Sequence, residues 1–143
     1  MLLEQAIPYI QHGITAEMLR YHSDYVGLKY DKIIGIHQWS KDGNHWSLIT
    51  EGGSKPGLND IKFNLKNITD LDKYSTTGKT DLDLLDLENK YQFINGRFFC
   101  QNYGKYILPT ELPFDKVQLL IKLHYDVFNL INNNLANDLK LFG

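Results

Sequence analysis

The chain is short of several things at once. Among its 143 residues there is one cysteine, Cys100, so no internal disulfide can form. Arginine occurs only as Arg20 and Arg97 while lysine is plentiful, which removes most of the planar forks suited to bidentate phosphate or base recognition. Charge of one sign is also missing. Fifteen Lys and Arg nearly balance seventeen Asp and Glu, for a formal net charge of -2, so no strong field draws the chain to nucleic acid or to an anionic membrane. Nucleic acid is therefore a disfavoured partner. No apolar run approaches the roughly 20 residues of a membrane helix, and the opening "MLLEQAIPYIQHG" has neither a basic leader nor an apolar stretch of signal-peptide length. The expectation is a cytoplasmic protein.

What is present is globular composition, 43% hydrophobic and 22% charged, in a length that suits one domain with one core. Residues 1–68 read as β-rich. "GITAEMLRYH", "DYVGLKY" and "KIIGIHQWS" are strand-length and carry β-branched or aromatic residues, although Glu17 to Arg20 suit a helix equally. Asp42-Gly43 is a hairpin signal between "KIIGIHQWS" and "NHWSLIT". An even-numbered loop there sets Trp39 opposite Trp46 and puts His37 and His45 on opposite faces. "IKFNLKNITDL" alternates Ile61, Phe63 and Leu65 against Lys62, Asn64 and Lys66, the pattern of a half-buried strand. Residues 69–90 form an acidic segment without a clear period. Residues 91–108 read as a β-hairpin turning at Asn95-Gly96.

The end of the chain carries a stripe at helical spacing: Val117, Leu120, Ile121, His124, Val127 or Phe128, Ile131 and Leu135. With Pro113 and Asp115 at the start and asparagines near 132–134 at the stop, it predicts a helix over 113–135. The fold class expected is α+β, an N-terminal antiparallel sheet of hairpins packed against a long C-terminal α-helix.

The reactive groups do not converge. "STTGKT" ends like a phosphate loop, yet Lys73 stands where the first glycine of that loop belongs, and acidic residues flank both sides, so a polar surface turn is expected. Asp81, Asp83, Asp86 and Glu88 lack the ligand alternation and central glycine of a calcium loop. Five histidines, at 12, 22, 37, 45 and 124, lack the close pairing of zinc sites. Cys100, in "RFFCQNY", reads as a small hydrophobe, and His124 as a hydrogen-bonded core residue. No catalytic residue, metal ligand or cofactor site is assigned, so binding is preferred to catalysis. The candidate interaction surface is Trp39, Trp46, His37, Lys41 and Lys55.

Two stretches, "GLKYDKIIGIHQWSKDGNHWSLITEGGSKPGLNDIKFNLKNITDLDK" and "FDKVQLLIKLHYDVFNLINNNLANDL", together with the opening "IPYI", carry a likeness. The chain resembles small proteins encoded by phages and prophages of Bacteroidetes, which carry a "KPILRPLSDL"-like segment and end in "WHFDVFGLIEKGLAIDI"-like sequence. Asn64 to Asn67 depart from the "LRPLSDL" part, and residues 74–112 match least. No biochemical activity comes with that group, so the resemblance implies origin rather than mechanism. The leading expectation is a non-enzymatic phage or prophage accessory protein that binds a host or phage protein, with interference in host defence as one version. The alternative is a ligand- or single-stranded nucleic-acid-binding protein of phage DNA metabolism, using the tryptophans with Lys29, Lys32, Lys41 and Lys55.

Overall fold

The structure, a computed structural model, describes residues 1–19, 30–38, 46–76 and 78–140. In chain order its elements are α1 (Leu3–Ile10), β1 (Thr15–Met18), β2 (Tyr30–Gln38), β3 (Trp46–Thr50), β4 (Ile61–Leu65), β5 (Ser75–Thr76), β6 (Lys79–Thr80), α2 (Asp81–Leu85), β7 (Tyr91–Ile94), β8 (Arg97–Cys100), β9 (Lys105–Ile107), α3 (Phe114–Lys122) and β10 (Ala136–Asp138). They fall into two compact units, one of residues 1–64 with 132–137, the other of residues 65–131 with 138–143. None of the described helices is long and apolar enough to cross a membrane.

The first unit is built on a five-stranded sheet in the order β10-β4-β1-β2-β3. β1 pairs antiparallel with both β2 and β4, Ala16 lying opposite Asp31 on one side and Phe63 on the other. α1 caps its own start, the Leu2 amide donating to the Gln5 side chain at 3.0 Å. It buries Ala6, Tyr9 and Ile10, residues spaced to share one helical face. Tyr9 meets Phe63 edge-on with ring centroids 6.1 Å apart. Residues 7–10, expected within the β-rich stretch, are thus the end of a helix.

The β2–β3 register departs from the expected one by a single residue. Gln38 faces Trp46, His37 faces Ser47 and Ile36 faces Leu48, with a bulge between Ile33 and Gly35. Seven residues separate the paired Gln38 and Trp46, an odd number rather than an even one, and a one-residue offset changes which residues share a face. Trp46 therefore pairs with Gln38, not with Trp39. The Asp42-Gly43 turn, Trp39, Lys41 and His45 lie outside the described residues.

In the second unit, β5 and β6 make a small hairpin, Ser75 opposite Thr80, with Gly78 at φ +83°. The Thr80 hydroxyl then accepts from the Asp83 amide at 3.1 Å, and the Asp83 carboxylate from the Thr80 amide at 3.2 Å, which starts α2. "STTGKT" is thus a hairpin leading into a five-residue helix. β7, β8 and β9 form an antiparallel meander. Asn95 and Gly96 both take positive φ, 51° and 78°, as a two-residue primed turn requires.

The long C-terminal helix is not present, which corrects the expected fold class. The architecture is α+β with short helices, and α3 has nine residues. The helix stops because Leu123 is followed by His124 at φ +69°. The His124 amide donates to the Ile121 carbonyl and the Tyr125 amide to the Leu120 carbonyl, both at 2.9 Å, the paired bonds of a Schellman ending. Beyond it the chain pairs with residue 66 instead: the Lys66 amide donates to the His124 carbonyl and the Asp126 amide to the Lys66 carbonyl. The Asp126 carboxylate accepts from the amides of Leu130 and Ile131 at 2.9 and 2.8 Å, holding a turn in place of a helix. Asn129 and Asn134 also take positive φ, so of the stripe Leu120 and Ile121 are buried from α3, Val127 is buried from a turn, and Leu135 is exposed.

Candidate functional site

Three arrangements gather side chains of chemical interest. The first lies in the first unit, beside the sheet edge at β3. An open groove of about 460 Å³ is lined by His37, Trp46, Ser47, Lys55 and Gly57. It arises because residues 54–56 run along the outer side of β3, the Thr50 amide donating to the Ser54 carbonyl and the Leu48 amide to the Pro56 carbonyl. Gly57 then diverts the chain into the short turn Leu58–Asp60, away from the row of bonds that residues 54–56 make to β3. Of the five residues of the expected interaction surface, the structure brings His37, Trp46 and Lys55 together here. Trp39 and Lys41 lie outside the described residues.

The second is the outer face of the β7–β9 meander in the second unit. Register places Ile94 opposite Arg97 and Phe99 opposite Tyr106, all on one side, with Leu108 continuing that row past β9. Phe99 and Tyr106 meet edge-on at 5.3 Å, and the Arg97 guanidinium lies 4.3 Å above the Tyr106 ring. A cavity of about 200 Å³ adjoins them, lined in part by Ile68, Leu108 and Glu111. The opposite side of the meander buries Phe98 and Cys100, the latter a free thiol 2% exposed. Nearby in sequence, Leu108 is 63% and Phe114 79% exposed. Spacing missed this face. "QFI", "RFF" and "KYIL" alternate too briefly, with apolar residues on both sides of the period.

The third is buried. Asp81, 2% exposed, accepts from the Tyr125 hydroxyl at 2.6 Å and lies 3.5 Å from the Lys66 ammonium. Lys66 also stands 4.7 Å from the Tyr74 ring centroid and 5.2 Å from that of Tyr125. Loss of solvent is the main reason the Tyr125 hydroxyl ionises well above the ordinary tyrosine range, and its bond to Asp81 adds to it. Tyr74 shifts the same way, first through desolvation and then through the charges of Asp70, Asp138 and Asp81. The Tyr125 hydroxyl, the Asp81 carboxylate and the Lys66 ammonium satisfy one another, and the Tyr74 hydroxyl donates to the Leu139 carbonyl at 2.6 Å, so this cluster fastens the unit. It offers neither a free base nor a nucleophile.

Comparison with family models, curated proteins and solved structures finds no match to this chain. The chemistry of these surfaces carries the functional argument. Among the described residues, no three His, Cys, Asp or Glu side chains are grouped so as to hold a metal ion. The acidic run is divided: Asp81 is buried against Tyr125, Asp83 caps α2, and Asp86 and Glu88 take positive φ in the following turn.

Proposed function

We propose that this protein is a non-enzymatic binding protein that acts by docking on another protein, as an accessory factor of a phage or prophage. The observation carrying this reading is the outer face of the β7–β9 meander. Its composition of Phe99, Tyr106, Leu108 and Arg97 is that of an interface centre, where rigid aromatics and an arginine supply most of the binding energy. Arg97 stacks on Tyr106 and has no carboxylate partner among the described residues, so a partner with apolar side chains and one carboxylate suits this face. The resemblance to phage proteins supports the setting, and the absence of a converging acid, base and nucleophile among the described side chains favours docking over catalysis. Interference with a host defence protein is one form such docking takes.

The test is affinity capture from bacterial cells with the full chain as bait, beside Leu108→Asp and, as a control in the first unit, Lys62→Ala. The expected result is one defined partner, held by the parent and by Lys62→Ala and lost with Leu108→Asp. Arg97→Ala is expected to weaken the purified complex by about 2 kcal/mol. Capture of no partner, or of one indifferent to both Leu108→Asp and Arg97→Ala, would overturn the reading.

A further inference from the structure

The groove beside β3 is a different surface with a different chemistry. We infer that it binds a nucleoside phosphate, either free or as part of a single strand, with the base against Trp46 and the phosphate among the donors around it. The inference is independent of the protein-docking face.

Three observations lead there. First, the polar groups lining the groove have no partners: among the described residues, His37, Ser47 and Lys55 make no side-chain hydrogen bond or ion pair. Ser47 is only 8% exposed, yet its hydroxyl oxygen is not sealed from solvent and stays open to a ligand. Lys66, Lys62 and Lys73 differ from Lys55 in being engaged, with Asp81, Asn134 and Asp70. Second, the strand supplies a backbone donor. The amides of Leu48 and Thr50 point away from β2, and the alternation of an antiparallel ladder turns the Trp46 amide the same way. The chain that accepts the first two bonds turns away at Gly57, so that segment supplies no carbonyl to the third amide. Third, the groove's volume of about 460 Å³ falls within the range of small-ligand sites, roughly 300–1,000 Å³.

The donor set selects the ligand. An ammonium, a hydroxyl, an imidazole and an amide all give hydrogen bonds to an anion, and lysine binds phosphate as a point charge without an arginine fork. The Asp60 carboxylate, close on the Gly57 side, accepts from the Gly57 amide at 3.4 Å. The indole adds a flat apolar wall on which any base stacks, which makes the site tolerant of sequence.

The chain has two tryptophans, so Trp39→Phe leaves Trp46 as the sole indole reporter. Its fluorescence is titrated at low salt with adenosine monophosphate, with adenosine, with inorganic phosphate and with a thymidine octamer. Saturable quenching by the mononucleotide or the octamer is expected, at least tenfold tighter than by adenosine or phosphate alone. Lys55→Ala is expected to weaken it at least tenfold, and Ser47→Ala severalfold, with unchanged circular dichroism. Equal affinity per nucleotide in monomer and octamer identifies a free nucleotide as the ligand, and affinity rising with length identifies a strand. No quenching by either up to millimolar concentration, or quenching that Lys55→Ala leaves intact, would overturn the inference.

Discussion

At position 124 the chain puts a histidine into left-handed backbone, φ +69°, where a Cβ crowds the following carbonyl. The residue ends α3, and comparison of two substitutions separates the backbone effect from whatever the imidazole contributes. His124→Gly is expected to be more stable than His124→Ala by about 1 kcal/mol in urea unfolding. Equal midpoints would mean that the backbone relaxes out of this conformation. One residue on, Tyr125 closes the buried cluster, and Tyr125→Phe removes the hydroxyl that satisfies Asp81. A loss of about 1–3 kcal/mol is expected, because the carboxylate stays buried with Lys66 as its remaining side-chain partner. Neither effect was legible from spacing. Histidine is not a stop signal, and Tyr125 and Asp81 lie far apart in the chain.

Among elements, those fixed by neighbouring residues were legible. Asn95-Gly96 joins two short alternating runs, and both residues tolerate the positive φ that a tight turn imposes. A Cβ on Gly96 would stand 2.8 Å from Thr69 Cγ2 and 3.3 Å from the Thr69 backbone. Gly96→Ala is therefore expected to lower stability by about 1–3 kcal/mol, read as a fall in melting temperature. Elements whose ends depend on distant partners were not legible. The stripe from Val117 to Leu135 has helical spacing throughout, yet only Phe114–Lys122 is helical, because the backbone of residues 124–126 bonds to Lys66 and Asp126 accepts from two amides of its own turn. Asp126→Ala is expected to cost about 2 kcal/mol by leaving those amides unpaired, with little change in helix content by circular dichroism. The β2–β3 register failed for a related reason. Asp42-Gly43 marks a turn but does not fix the parity of the loop, and parity decides which residues share a face.

For the molecule as a whole, the tyrosine shifts give stability a dependence on alkaline pH. Below the ordinary tyrosine range, folded and unfolded chains both hold these protons and the pair contributes no slope. As pH rises through that range the unfolded chain ionises first, while burial keeps Tyr125 and Tyr74 neutral in the fold, so stability falls. Urea midpoints measured from about pH 8 to about pH 11 are expected to decline at the upper end, and Tyr125→Phe is expected to make that decline shallower. A flat profile in the parent would show that the two hydroxyls ionise freely. The sequence by itself determined what is local or compositional: the α+β class, the hairpin at Asn95-Gly96, the strand at Ile61–Leu65, and the turn between Thr76 and Lys79. Only the tertiary structure decided the end of α3, the pairing of Trp46 with Gln38, the groove beside β3 and the arginine-crossed face of the meander. Turn chemistry and periodicity act between residues a few positions apart. Where a helix stops and which side chains meet depend on hydrogen bonds between segments tens of residues apart, whose free energy outweighs a periodic stripe.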